Sequence, residues 1–174
     1  MKRVLLVIDM LNDFMDPRGI LFCGEKARSI IPVIQSLIRD FTNKNEPIIY
    51  LADAHQKHDK EFELFPQHAI KGSWGAEIIP ELKPPEKAWV VEKTRFSGFF
   101  GTQLEEILKS LQPEEVWVTG VCTSICVMDT VGDLHNRDIR PVVVENGVAD
   151  FDDQFHELAL ARMERIYGAK RITW

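Results

Sequence analysis

Five short apolar runs, Val4–Ile8, Pro47–Leu51, Ala88–Val91, Glu115–Thr119 and Arg140–Val144, do not alternate between apolar and polar residues. A strand with one face in water alternates, whereas a strand covered on both faces is apolar throughout. Between or after these runs lie longer stretches with helical spacing: Glu25–Thr42, Gly101–Ser110, Thr123–Asn136 and Asp152–Tyr167. Strands that take turns with helices build a parallel sheet, because each parallel crossover needs a helix-length return. The pattern predicts an α/β fold, a three-layer α/β/α sandwich around a mostly parallel sheet, with Gly168–Thr173 as a last edge strand. No repeat, low-complexity segment or linker divides the chain, so residues 1–174 are expected to form one domain.

Charge and cysteine content exclude several function classes. The net charge is -6 and no stretch concentrates Lys or Arg, so neither nucleic acid nor an anionic membrane is an expected partner. No apolar run approaches the roughly 20 residues that a bilayer span requires. Val4–Ile8 after Lys2 and Arg3 briefly resembles a signal peptide, but Asp9 ends it early and no small-residue cleavage site follows. A cytoplasmic location is the expectation. Three cysteines make an odd number, and the C-x3-C spacing of Cys122 and Cys126 matches neither a redox C-x-x-C nor a paired zinc motif. At least one thiol should be free.

The rhythm breaks between Asp53 and Pro85, an irregular stretch carrying His55, His58, His68, Gly72 and Gly75. Long irregular connections in a compact domain are usually functional, and open parallel sheets gather ligands outside the carboxyl ends of their strands. Asp9, Asp53, Lys93 and the segment leading to Cys126 each follow one of the predicted strands. Cys126 falls in the first turn of a helix-like segment, where unpaired N–H groups and the helix dipole favour a thiolate. Singly, a strand-end carboxylate is a cap, a Lys points into water and a buried Cys is an inert hydrophobe. Together they complement one another: an ammonium to favour the sulfur anion, and a carboxylate to take the thiol proton and pass it to a leaving amine. Asp53 and His55, two apart at a strand end, share a side, and His68 follows after a loop. One carboxylate and two imidazoles suit a borderline divalent ion: zinc, manganese or iron. D-x-H alone is also common by chance.

Three blocks, Val7–Phe14, Glu92–Phe99 and Thr119–Val127, resemble those of the isochorismatase-like cysteine hydrolases, most closely nicotinamidases. The resemblance spans essentially the whole chain in the family's order. It implies Asp9 as general base and acid, Lys93 as the positive charge and Cys126 as nucleophile. It also implies a cis peptide at Val121–Cys122, with the N–H groups of Cys122 and Cys126 aimed at an oxyanion. Phe65–Glu77 resembles the nicotinamidase block whose His is a metal ligand, implying one ion, zinc first, held by Asp53, His55 and His68, beside a pyridine nitrogen or a water. Phe14 and Phe65 would face the flat ring of a substrate, while Trp74, Phe96 and Phe99 are expected to pack. His58 is expected in solvent, and His135 and His156 on helix surfaces or in packing. Ser124, where relatives often carry Asp, is expected still to cap its helix, and Gln67 stands where Pro is common.

The implied activity is hydrolysis of nicotinamide to nicotinate and ammonia through a thioester, by a homo-oligomer. The alternatives are isochorismatase, N-carbamoylsarcosine amidase or ureidoacrylate amidohydrolase activity, or a non-catalytic sensor that bridges Cys122 to Cys126.

Overall fold

The computed structural model of the chain describes residues 2–174. Six strands form one sheet: β1 (Arg3–Ile8), β2 (Ile48–Asp53), β3 (Trp89–Lys93), β4 (Glu115–Val121), β5 (Pro141–Ala149) and β6 (Lys170–Ile172). Their order is β3-β2-β1-β4-β5-β6 and every pairing is parallel. The chain starts in the middle, builds outward through β2 and β3, then returns to the other side of β1. The direction of winding therefore switches between β1 and β4, where such sheets open a crevice.

The apolar runs bury themselves as their pattern requires. Alternate residues of β1 point to opposite faces. Leu5 and Val7 pack with α1 (Asn12–Met15), α2 (Glu25–Arg28) and α3 (Ile31–Asn43), through side chains such as Ala27, Ile34 and Phe41. Val4, Leu6 and Ile8 pack on the other face against α4 (Leu104–Leu111), α5 (Met128–His135) and α6 (Asp153–Arg165). Three layers result. The rule fails at β3, where Trp89 and Val90 are exposed, because an edge strand has only one neighbour to cover it. No helix among the described residues is long and apolar enough to cross a membrane.

Element boundaries depart from the sequence reading for identifiable reasons. The expected helix Glu25–Thr42 is two helices, since Pro32 has no N–H to give and its ring crowds the carbonyl four residues back, at Arg28. The expected helix Gly101–Ser110 begins only at Leu104: Gly101 takes φ 65°, and the Thr102 hydroxyl accepts the Leu104 N–H (3.1 Å). Thr123–Asn136 opens with one π-helical turn, Thr123–Val127, before α5 begins. Asp152 caps α6, accepting the N–H groups of Gln154 and Phe155 (2.8 and 2.9 Å). β2 and β3 run through Asp53 and Lys93, which close their strands and do not follow them, and β5 continues to Ala149 past an irregularity opposite Val118 and Gly120.

Gly120 holds the centre of the crevice together. Its φ is 112°, and a Cβ placed there would sit 2.0 Å from the Ile8 carbonyl oxygen. Gly120→Ala is expected to destabilise the fold by roughly 2–6 kcal/mol, from backbone strain plus overpacking. Urea unfolding measures this, and a loss under about 1 kcal/mol, the cost of an ordinary substitution, would show that β1 and β4 have room to separate.

Candidate active site

Three strand ends meet at one buried ammonium. The Lys93 Nζ lies 2.5 Å from Asp53 Oδ1, 2.8 Å from Asp9 Oδ2 and 3.5 Å from Cys126 Sγ, and it donates to the Arg95 carbonyl at 3.1 Å. All four titratable residues are buried. Asp9 adopts φ 51°, a left-handed conformation that Asp tolerates better than most residues. This turn lets Asp9 Oδ1 accept the Asp53 N–H at 2.9 Å. Its Oδ2 faces the Lys93 Nζ at 2.8 Å, beside the thiol. Asp9, Lys93 and Cys126, distant in sequence, are thus brought into contact.

Electrostatics refine the expected thiolate. Burial pushes the Cys126 thiol well above its ordinary range, and the Lys93 ammonium offsets this only in part. Burial thus acts against the thiolate that the helix terminus and the ammonium favour. Burial, and then the neighbouring Asp53, raise the Asp9 carboxyl to about 6. For Asp53, burial acts upward but Lys93 and His55 outweigh it, and its carboxyl falls below the usual range. Burial would also lower Lys93, yet Asp53 and Asp9 hold it well above its ordinary value. One ammonium, one firm carboxylate, one adjustable carboxyl and a thiol pushed upward by burial share the crevice.

Asp53 also belongs to a second cluster. Single donor atoms of Asp53, His55 and His68 lie within 4.8 Å of one another. Each imidazole engages its Nδ1 elsewhere, His55 with Asp59 Oδ2 (3.2 Å) and His68 with the Pro66 carbonyl (2.8 Å). Both Nε2 atoms are left facing the Glu61 carboxylate, 3.8 Å from His55 and 3.7 Å from His68. The His55 Nε2 is buried with no hydrogen-bond partner, a costly arrangement unless something binds it. Two imidazoles and two carboxylates converging on one point fit a divalent ion. Glu61 escaped the sequence reading because a short 3-10 turn, Lys60–Glu63, presents it, and no spacing signal announces such a turn.

Both clusters open into a cavity of about 430 Å³. Phe14 and Phe65 line it as expected, and so does Phe96, which was expected only to pack. The Phe65 and Phe96 rings stand perpendicular at 6.2 Å, and Phe14 lies 5.6 Å from His68. Ile20, Leu21 and Phe22 close one wall and Phe151 another, none of them signalled in the sequence. Asp13 ties this wall to the metal loop: its carboxylate accepts the Ala69 N–H at 2.7 Å and the Ile20 N–H at 3.3 Å. Elsewhere Phe99 packs as expected, beneath the Arg137 guanidinium, but Trp74 is 41% exposed with Arg18 over its ring. His58 and His135 are exposed, and His156 bonds the Thr123 hydroxyl at 2.9 Å.

The peptide Val121–Cys122 is cis. The thiol beside Cys122 is Cys23, at 3.5 Å, a neighbour the C-x3-C spacing did not suggest. All three cysteines are free.

Comparison with known proteins agrees with this architecture. Residues 3–174 match the model of the isochorismatase domain. The chain belongs to the isochorismatase domain family. A Bacillus subtilis member, described as an uncharacterized isochorismatase family protein PncA, is 37% identical over 98% of both chains. The crystal structure of nicotinamidase PncA from Bacillus subtilis superposes with a TM-score of 0.93 at 37% identity, covering 98% of this chain and 99% of that one. The pyrazinamidase of Pyrococcus horikoshii in complex with zinc gives 0.93 at 29% identity over all of both chains. N-carbamoylsarcosine amidase from Thermoplasma acidophilum gives 0.91 at 33% identity over 99% and 96%. The family fold is thus shared by amidases of different substrates.

Two departures from the isochorismatase-family pattern find their explanation in the structure. Gln67 restrains the loop before His68 by donating to the Lys57 carbonyl at 3.1 Å. Ser124, by contrast, does not cap: Asp150, at the end of β5, accepts the Ser124 N–H at 2.7 Å instead. A carboxylate from the end of β5 thus bonds the turn that carries Cys126.

Removing the central cation tests the arrangement. Lys93→Met would leave two buried carboxylates without their partner and is expected to cost about 3–5 kcal/mol of stability in denaturant unfolding. A loss under about 1 kcal/mol, typical of surface pairs, would contradict a buried ammonium at this position.

Proposed function

We propose that this isochorismatase-family hydrolase is a cysteine-dependent amidase of neutral aromatic carboxamides, with nicotinamide as the preferred substrate. The observation that carries the reading is the contact of Cys126 with Lys93 and Asp9 on a cavity whose walls are aromatic and carry no Lys or Arg. Isochorismate, N-carbamoylsarcosine and ureidoacrylate all bear carboxylates, and no unspent cation lines the cavity to receive one. A flat ring between Phe14, Phe65 and Phe96 gains about 0.5–1.5 kcal/mol from offset stacking beyond its burial.

The proposed reaction proceeds in two halves. Asp9 takes the Cys126 thiol proton as the sulfur attacks the amide carbon, forming a C–S bond and an oxyanion. The N–H groups of Ser124, Ile125 and Val127 are already engaged, which supports assigning those of Cys122 and Cys126 to that oxyanion. Lys93 compensates the negative charge throughout. Asp9 returns the proton to nitrogen, the C–N bond breaks and ammonia leaves a thioester. Water then gives one proton to Asp9 as its oxygen bonds the acyl carbon, the C–S bond breaks to release the acid, and Asp9 returns that proton to the Cys126 sulfur. Asp53, His55, His68 and Glu61 would hold a divalent ion, zinc first, which supplies Lewis-acid polarisation next to the reacting group. The enzyme so proposed is cytoplasmic and homo-oligomeric and serves NAD salvage.

Ammonia release from nicotinamide, pyrazinamide, N-carbamoylsarcosine and ureidoacrylate tests the assignment. Turnover is expected for the two aromatic amides alone, lost in Cys126→Ala and reduced about 10²–10⁴-fold in Asp9→Asn. Activity that survives Cys126→Ala would eliminate the nucleophile. Dialysis against a chelator is expected to weaken nicotinamide turnover, with recovery on adding zinc, and indifference to the chelator would remove the ion from the reaction.

A further inference from the structure

A neutral imidazole carries one proton on one of two nitrogens, and a ligand to a metal must offer the other as a lone pair. In His68 a backbone carbonyl, that of Pro66, settles the choice. In His55 a side chain does. Asp59 Oδ2 lies 3.2 Å from His55 Nδ1, in a pocket where the imidazole is fully buried and the Asp59 carboxylate is 8% exposed. The same carboxylate accepts the Glu61 N–H through Oδ1 at 3.0 Å, capping the turn that presents Glu61 to both Nε2 atoms. Arg95 Nη1 grips both oxygens, at 2.9 and 3.1 Å, and the Arg95 carbonyl in turn accepts from Lys93 Nζ at 3.1 Å.

We propose that Asp59, pinned by Arg95, is the positioning residue of the metal site. It holds His55 as the Nδ1–H tautomer with Nε2 toward the ion, and sets Glu61 beside it. The proposal rests on the reading of Asp53, His55 and His68 as metal ligands. Asp59 touches neither ion nor substrate; it acts through two residues that do. An amide at position 59 keeps the shape but has one acceptor oxygen where three donors now converge, so it cannot serve His55, Glu61 and Arg95 together.

The decisive measurements are zinc and cobalt affinities of metal-free protein, by competition with a chromophoric chelator, and the His55 tautomer by long-range nitrogen–proton NMR at alkaline pH. Asp59→Asn is expected to weaken both metals about 10–100-fold and to admit the Nε2–H tautomer. Arg95→Ala should produce a smaller loss of affinity, while Asp16→Asn, an acid outside the cavity, should change nothing. Wild-type affinity and an unchanged tautomer in Asp59→Asn would overturn the proposal. If that variant fails to fold, the wild type still decides, since a metal-free His55 carrying its proton on Nε2 is incompatible with it. Failure of the wild type to bind either ion is a distinct result: it removes the metal reading itself, and this proposal with it.

Discussion

An ammonium with no access to water needs its counter-charges within contact distance, and the crevice is organised around that need. Desolvating a charge costs several kcal/mol even after relaxation, and only close, well-hydrogen-bonded partners offset it. Lys93 meets the requirement with Asp9 and Asp53, each from a different strand, so the ends of β1, β2 and β3 cannot shift independently. Cys126 does not achieve the same balance. It has one cation nearby and two carboxylates, and burial pushes its thiol upward more than the ammonium holds it down.

Parallel topology makes this convergence possible. All strands deliver their carboxyl ends to one edge, and the switch between β1 and β4 opens that edge into a crevice. Local departures from regular structure then aim the groups. The left-handed Asp9 turns its carboxylate back onto the Asp53 N–H, Gly120 lets β4 approach β1, and the π turn at Thr123–Val127 sets the sulfur against Nζ. Strained or irregular backbone concentrated at a site is the usual pattern where function overrides local preference.

What could be read from the sequence follows from what each signal encodes. Hydrophobic period reports burial, so the strands, the covering helices and the parallel sheet were legible, and Asp9, Lys93 and Cys126 stood out as polar residues at the ends of apolar runs. Strand ends were misjudged because backbone pairing continues through Asp53 and Lys93 whatever their side chains. The split at Ser29 was in fact announced by Pro32, and a stricter reading of that residue would have found it. Asp13 and Cys23 were invisible for another reason, since the partner of each lies tens of residues away, while Glu61 is close in sequence to His55 but is presented by a short 3-10 turn that has no spacing signal. The upward push of burial on the Cys126 thiol was hidden too, since a helix terminus is a local signal and desolvation is a global one.

Charge tally sharpens the substrate preference beyond what aromatic walls provide. Asp9, Asp53 and Glu61 face the cavity, against one ammonium behind them. A divalent ion bound at the second cluster would bring the site to neutrality when Asp9 is ionised, and a neutral site has no use for an anionic substrate. At an effective dielectric of 20, a carboxylate about 4 Å from an unscreened acid meets roughly 4 kcal/mol of repulsion, several times what ring stacking returns. Under the proposed function, electrostatics outweighs stacking in the selection among family substrates. An uncharged carboxamide enters this balance without disturbing it. In the proposed reaction, charge develops only when the carbonyl oxygen takes up the sulfur's electrons, the moment at which the Lys93 ammonium and the nearby N–H groups have most effect.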